Sequence, residues 1–582
     1  MPQSPDALLT SLEAARSRFR RGTATETRRL LDLLRTQDFT DAKSLLRFHE
    51  CLLFLRAFPQ SAALVPRLER ILDRFHLRIE RIQKKGADME IFDDFDTSGV
   101  TGTTMQDTLP FEAVRWLVRT MPRNIEIAWD DYQEDFLAER AMATTWPRFI
   151  PLLAEDADVE ANIPWRLWLD SARGRERDLH WLIGQFERLP MADQQRAELY
   201  DSLRLPIRWH LANLKLSRTR NWRRPRRLYV HHEALIPRSQ VSLEHELAQP
   251  LPRFTRLSLR EGESLMRMIR EVMLVRYREL YGTTLGDPHS VVRADVGRGV
   301  VIHLWNLPPE RRLPLRAYVA GFTVKNGVPI NYIEAIGLCE WIEVGFNTFY
   351  TYRQGETAWI YAQALRCLRA FTGATTISVY PYQLGQNNDE ALDSGAFWFY
   401  RKLGFRCGRP DLEELARREE QKIAADPQYR TPRRTLKRFA EAHVIYEIAS
   451  GPAKARGSAE GRVATGPWDT FSTRNLALRV TRRMAREFNG NPGALRKRSL
   501  EAVARVLRVN PDLWTPAQRR SLENWSLVLA LVPDLRDWSQ TEKEHLIKIL
   551  RAQSGRNEMS YLRLTQSHSR LRRELLRLGS AL

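Results

Sequence analysis

Cysteine is scarce. The 582-residue chain has four, Cys51, Cys339, Cys367 and Cys407, with no CxxC pair among them. No disulfide framework can be built from them, and a reducing cytoplasm fits best. Long apolar runs are also missing. The N-terminus has no apolar core of signal-peptide length, and the longest apolar stretch near the C-terminus, Trp525 to Val532, is less than half of a membrane span. Secretion and a membrane span are therefore excluded as expectations. Lysine is rare too: it supplies 12 of the 91 basic residues, leaving 79 Arg, a skew that GC-rich coding produces.

What is present is ordinary globular material. Apolar residues make up 43% and charged residues 28%, enough for real cores. At about 150 residues per domain, the length suggests roughly three to four domains. The formal charge of +20 makes an acidic partner worth considering, such as nucleic acid, a carrier protein, a phosphorylated cofactor or an anionic membrane.

The charge is segregated. Residues 86–160 hold 17 acids against 5 Arg, so a net of −12 leaves +32 for the remainder. Residues 1–165 read as an α-helical region followed by an acidic Gly/Thr loop. The spacing of Asp93, Asp94 and Asp96 does not match a calcium loop, and no metal is expected. Residues 166–250 read as a helical segment and a basic connector, with Arg223, Arg224, Arg226 and Arg227 around Trp222. Arg with an interleaved aromatic can hold phosphates and stack a base; a charged connector packing on the acidic lobe is the other reading. Residues 451–470 read as a linker and 471–582 as a basic helical bundle with 22 Lys and Arg against 10 acids.

Residues 251–450 alternate strands and helices. Ser258 and Glu261 have capping-box spacing. Asn326-Gly327 between β-rich segments predicts a tight hairpin, because both central residues must take positive φ. A strand over Trp341 to Tyr352 leads through Arg353-Gln-Gly-Glu-Thr-Ala358 into a helix, a further strand covers Thr375 to Tyr380, and another helix covers Ser394 to Leu403. By period-two counting, Glu343 shares a strand face with Gly345 and Asn347.

Asp393-Ser-Gly-Ala-Phe-Trp-Phe-Tyr400-Arg-Lys-Leu-Gly-Phe405 resembles the fourth-helix signature of the GNAT superfamily of N-acetyltransferases. Asn326-Gly-Val-Pro-Ile-Asn-Tyr-Ile-Glu334 resembles that family's hairpin. The resemblance covers roughly residues 253–410 and implies an α/β (α+β) fold with a GNAT-like mixed sheet between helical flanks. It implies acetyl-CoA or another acyl-CoA as co-substrate and an amine as acceptor. It implies that Arg353, Gln354, Gly355, Thr357 and Ala358 face the CoA pyrophosphate through loop amides and a helix N-terminus, with Glu356 standing where the family has Gly. Asn387 or Asn388 would reach the pantetheine end. Tyr400 would protonate the departing thiolate, and Glu343, with Glu340 and Glu334 as alternates, would act as base. Two other classes stay open: a transferase using acyl carrier protein or aminoacyl-tRNA as donor, and a non-catalytic binding protein.

Overall fold

The computed structural model describes residues 4–132, 136–155, 165–278, 281–448 and 466–580. The chain is a mixed α/β protein, with two sheets among the described residues. Its strands are β1 (Thr104–Thr108), β2 (Ile125–Ile127), β3 (Pro206–His210), β4 (Thr255–Arg256), β5 (Val292–Gly297), β6 (Val300–Asn306), β7 (Ala317–Lys325), β8 (Val328–Leu338), β9 (Trp341–Thr348), β10 (Thr376–Val379), β11 (Arg406–Cys407) and β12 (Val444–Glu447).

The large sheet has the order β11-β12-β10-β9-β8-β7-β6-β5-β4. From β4 to β9 it is an antiparallel meander. Asn326 and Gly327 take φ of 50° and 75° at the β7–β8 hairpin, as the Asn-Gly pair requires. β9 and β10 pair in parallel, so a crossover must join them. That crossover is the helix Thr357–Thr372. β12 then inserts between β10 and β11, antiparallel to both. Every residue of β7 is buried, because helices cover both faces of the sheet. Tyr361 of the crossover helix packs on Phe346 with ring centroids 4.9 Å apart. The opposite face is covered by the helix Leu259–Leu274, which starts with the capping box of Ser258 and Glu261 and buries Leu265, Met268, Ile269, Val272 and Met273.

The apolar cores divide the chain differently from the expected boundaries at 165 and 250. Helices within residues 5–84 share one continuous core with the large sheet and the C-terminal bundle. Much of residues 105–216 forms a second core around the sheet β1-β3-β2. The acidic Gly/Thr segment 88–107 was expected as a loop, yet β1 overlaps its end. Thr104 pairs with His210, a contact more than a hundred residues away that leaves no local periodicity in the sequence.

The expected linker over 451–470 falls largely outside the described residues. Its last part is anchored: the Trp468 indole stacks on Trp341 at 5.5 Å, and Asp469 accepts from Arg406 at 2.6 and 2.8 Å. The bundle of 471–582 runs from the helix Thr473–Phe488 to the helix Ser569–Gly579. It docks on the large sheet where β8 meets β9: Gln566 donates to the Cys339 carbonyl at 3.0 Å. Among the described residues no helix is long and apolar enough to cross a membrane.

Candidate functional site

β9 and β10 are hydrogen-bonded only at their start. The register runs Trp341–Thr376, Ile342–Ile377 and Glu343–Ser378, then ends. β9 continues to Thr348, whereas β10 stops at Val379 and turns away through Pro381–Leu384. The backbone of β9 beyond Glu343 therefore has no strand partner on that side among the described residues. Such a split exposes main-chain donors and acceptors to a ligand.

Gly345 lies just past the split. A Cβ built there would meet Gln383 Nε2 at 3.8 Å and the Glu334 carbonyl at 3.9 Å, ordinary contact distances, so the position is uncrowded. Glu334 stands directly opposite it on β8 and accepts from the Tyr318 hydroxyl. Burial pushes the Glu334 carboxyl up. Glu343 lies two residues before Gly345 on the same face, 3.5 Å from both Arg316 Nη1 and His443 Nδ1. Burial also pushes Glu343 up, with Arg316 opposing it. His443 is held down at about 4, first by burial and then by Arg316, so the imidazole is neutral near pH 7. Glu340 does not join this pair. It accepts from Trp468 Nε1 and Arg572 Nε, both at 2.7 Å, and so ties the sheet to the bundle.

Tyr400 lies on the other face. The helix expected over Ser394 to Leu403 is shorter: Gly395 at φ 64° separates Ala396–Arg401 from another short helix, Asp389–Asp393, that precedes it. The helix Ala396–Arg401 buries the Tyr400 ring against Tyr361 and Phe405, at 5.7 Å each. Burial pushes its phenol up, so it stays protonated across the neutral range. The Tyr361 hydroxyl beside it is buried, with no hydrogen-bond partner among the described residues.

The loop after β9 is partly covered. Arg353 bridges the mouth of the split, reaching Glu390 at 2.5 Å and Asp96 at 3.1 Å. Gln354 is exposed and accepts from Arg16 at 3.0 Å. A Cβ on Gly355 would come within 2.6 Å of Phe58, so only glycine lets the N-terminal helices approach this closely. Thr357 is half-buried and bonds the Arg353 carbonyl at 3.1 Å, and Ala358 is buried. Glu356 points away from the loop into the interior. There it is fully buried with Arg298 and Lys325, and the Ile236 amide donates to it at 3.3 Å. Asn388 caps the helix Asp389–Asp393, accepting from the Ala391 amide at 3.2 Å, while Asn387 is exposed with φ 55°.

The basic run of the connector separates into two parts. Arg218 is buried and donates to both oxygens of Glu50 at 2.7 Å and to Thr351 at 2.8 Å. Arg223 donates to Ser264 Oγ at 3.1 Å, and its carbonyl lies where a Cβ on Gly327 would be. Arg218 is thus an internal strut, and the exposed Arg223 ties the connector to the helix Leu259–Leu274. Arg224, Arg226 and Arg227 are exposed, and among the described residues they form no ion pair. Sequence reasoning missed Tyr318, Gln383, His443 and Arg316 as neighbours of the split, since three strands and a distant turn bring them together.

No protein-family model, curated protein or solved structure matches the chain.

Proposed function

We propose that this protein is an acyltransferase of the GNAT type that moves an acyl group from CoA to an amine. The observation that carries this reading is the split between parallel β9 and β10, with β12 inserted between β10 and β11. A thioester chain lies along the free edge of β9 and pairs with its main chain. The amine enters over Gly345, where Glu334 and Glu343 take up its proton directly or through water. The amine nitrogen attacks the thioester carbonyl, the C–S bond breaks, and the Tyr400 hydroxyl donates its proton to the leaving sulfur. Both carboxyls are raised by burial, which brings a base closer to working pH.

Burial of Glu356 against Arg298 and Lys325 removes the repulsion that a carboxylate in this loop would bring to a pyrophosphate. The close approach of Phe58 to Gly355 favours a second reading, in which a carrier protein or aminoacyl-tRNA delivers the acyl group. Arg224, Arg226 and Arg227, exposed and without an ion pair among the described residues, support that reading.

The test is thermal stabilisation by acetyl-CoA and by longer acyl-CoA, followed by thiol release with a panel of amines. A shift retained in Tyr400→Phe with turnover reduced at least tenfold supports the assignment. No shift with any acyl-CoA refutes CoA as donor. If binding of carrier protein or tRNA is then found, and is lost in a variant with Arg224, Arg226 and Arg227 changed to Gln, the second reading replaces the first.

A further inference from the structure

The C-terminal bundle holds a cavity of about 440 Å³ that shares no lining residue with the split between β9 and β10. Val503, Leu529 and Val532 contribute an apolar floor. Five cations line it with no carboxylate among the lining residues: Arg483, Arg505, Arg508, Arg536 and Lys543. Two are engaged. Arg483 reaches Glu487 at 2.8 Å and Ser499 at 3.0 Å, and Lys543 donates to the Arg536 carbonyl at 2.6 Å. Among the described residues, Arg505, Arg508 and Arg536 form no ion pair.

A helix C-terminus accounts for part of this. Arg505 sits in the last turn of Pro492–Leu507 and Arg508 caps it, where a cation complements the helix dipole. That effect does not explain why Arg483, Arg536 and Lys543 converge on the same hollow from other helices. Like charges gathered over an apolar floor repel one another unless an anion joins them. The volume falls in the range of small-molecule sites.

We propose that this cavity binds a small anionic amphiphile, an alkyl or acyl chain ending in phosphate or carboxylate. The chain lies on Val503, Leu529 and Val532, and the head group is held by Arg505, Arg508 and Arg536. Binding here is independent of acyl transfer, and either can fail without the other.

Calorimetric titration of the full chain tests it, below the micellar concentration of each probe. Dodecyl phosphate and dodecanoate carry the two head groups, dodecyl maltoside has the chain without charge, and inorganic phosphate has the charge without the chain. Saturable binding of one dodecyl phosphate or one dodecanoate is expected, at least tenfold tighter than either control. The preferred head group is the one bound tighter. In Arg505→Glu/Arg536→Glu, at two exposed positions, binding weakens at least tenfold while the far-UV circular dichroism is unchanged. Equal binding of dodecyl maltoside, equal binding of phosphate alone, unchanged affinity in the folded double variant, or no saturable binding overturns the proposal. If that variant does not fold, Arg505→Gln is titrated in its place, with a threefold loss expected and unchanged affinity overturning the proposal.

Discussion

Replacing Glu558 with Gln is expected to stabilise the protein at neutral pH. Glu558 opens the helix Glu558–Ser567 at the joint between bundle and sheet and is fully buried. Its partner is Arg312, whose Nε lies 3.7 Å away. Burial pushes the carboxyl up to about 8, with Arg312 and the Tyr318 amide opposing. In the unfolded chain it ionises near the ordinary value of 4.5. Between these values the folded state holds a proton that the unfolded state has released, so stability falls as pH rises. The cost is absent below the unfolded value, grows across the window and is complete above the folded one. At about 1.4 kcal/mol per unit, it amounts to about 3 kcal/mol at pH 7. Gln mimics the protonated acid and removes the cost. Arg312 keeps its bonds to the Leu307 and Gln553 carbonyls. Urea unfolding followed by tryptophan fluorescence is expected to show Glu558→Gln about 3 kcal/mol more stable than the parent at pH 7, and equal to it near pH 4. A loss of about 3–5 kcal/mol at pH 7 would show instead that an ionised pair holds the joint, and would refute the reasoning.

Two further predictions concern buried charge. His303 is held down at about 4, chiefly by burial, so the unfolded chain takes up a proton near pH 6.5 that the folded chain refuses until about 4. Stability then falls as pH drops through that window, and His303→Gln is expected to remove about 2–3 kcal/mol of that loss between pH 7 and pH 4, read as the difference between paired urea curves. An unchanged slope would rule this out. Lys325→Met leaves Glu356 with Arg298 as its remaining cation and is expected to cost about 3 kcal/mol or more, with Lys325→Met/Glu356→Gln recovering part of it. A double variant no better than the single would show that the pair is not what the carboxylate needs.

The sequence was most legible where structure is local. The capping box at Ser258 and Glu261 depends on a three-residue spacing, and the hairpin at Asn326-Gly327 on two residues that tolerate positive φ; both were visible. The crossover from β9 through a helix to β10 was visible in the order of its parts. Less could be read where partners are distant. β1 sat inside a segment rich in Gly, Thr and Asp, and only pairing with β3 makes it a strand. Glu340, Glu343 and Glu334 looked equivalent as strand carboxylates. Their partners separate them: Arg572 and Trp468 claim the first, Arg316 and His443 flank the second, and Tyr318 holds the third. The Arg run before residue 228 read as one feature, yet burial against Glu50 made Arg218 a strut and left Arg224, Arg226 and Arg227 exposed.

By itself the sequence determined the local geometry: caps, turns, the helix and strand order of residues 251–450, and the scarcity of cysteine and of membrane-length apolar runs. Those follow from short-range sterics, hydrogen bonding and periodicity, which neighbouring residues specify. Only the tertiary structure decided where the charges went. It sent Glu356 inward to Lys325 and Arg298, laid Phe58 on Gly355, split β9 from β10 over Gly345, and gathered five cations around a hollow in the bundle. An ion pair or a cavity depends on surfaces that meet across hundreds of residues, and burial sets how strongly each charge is felt.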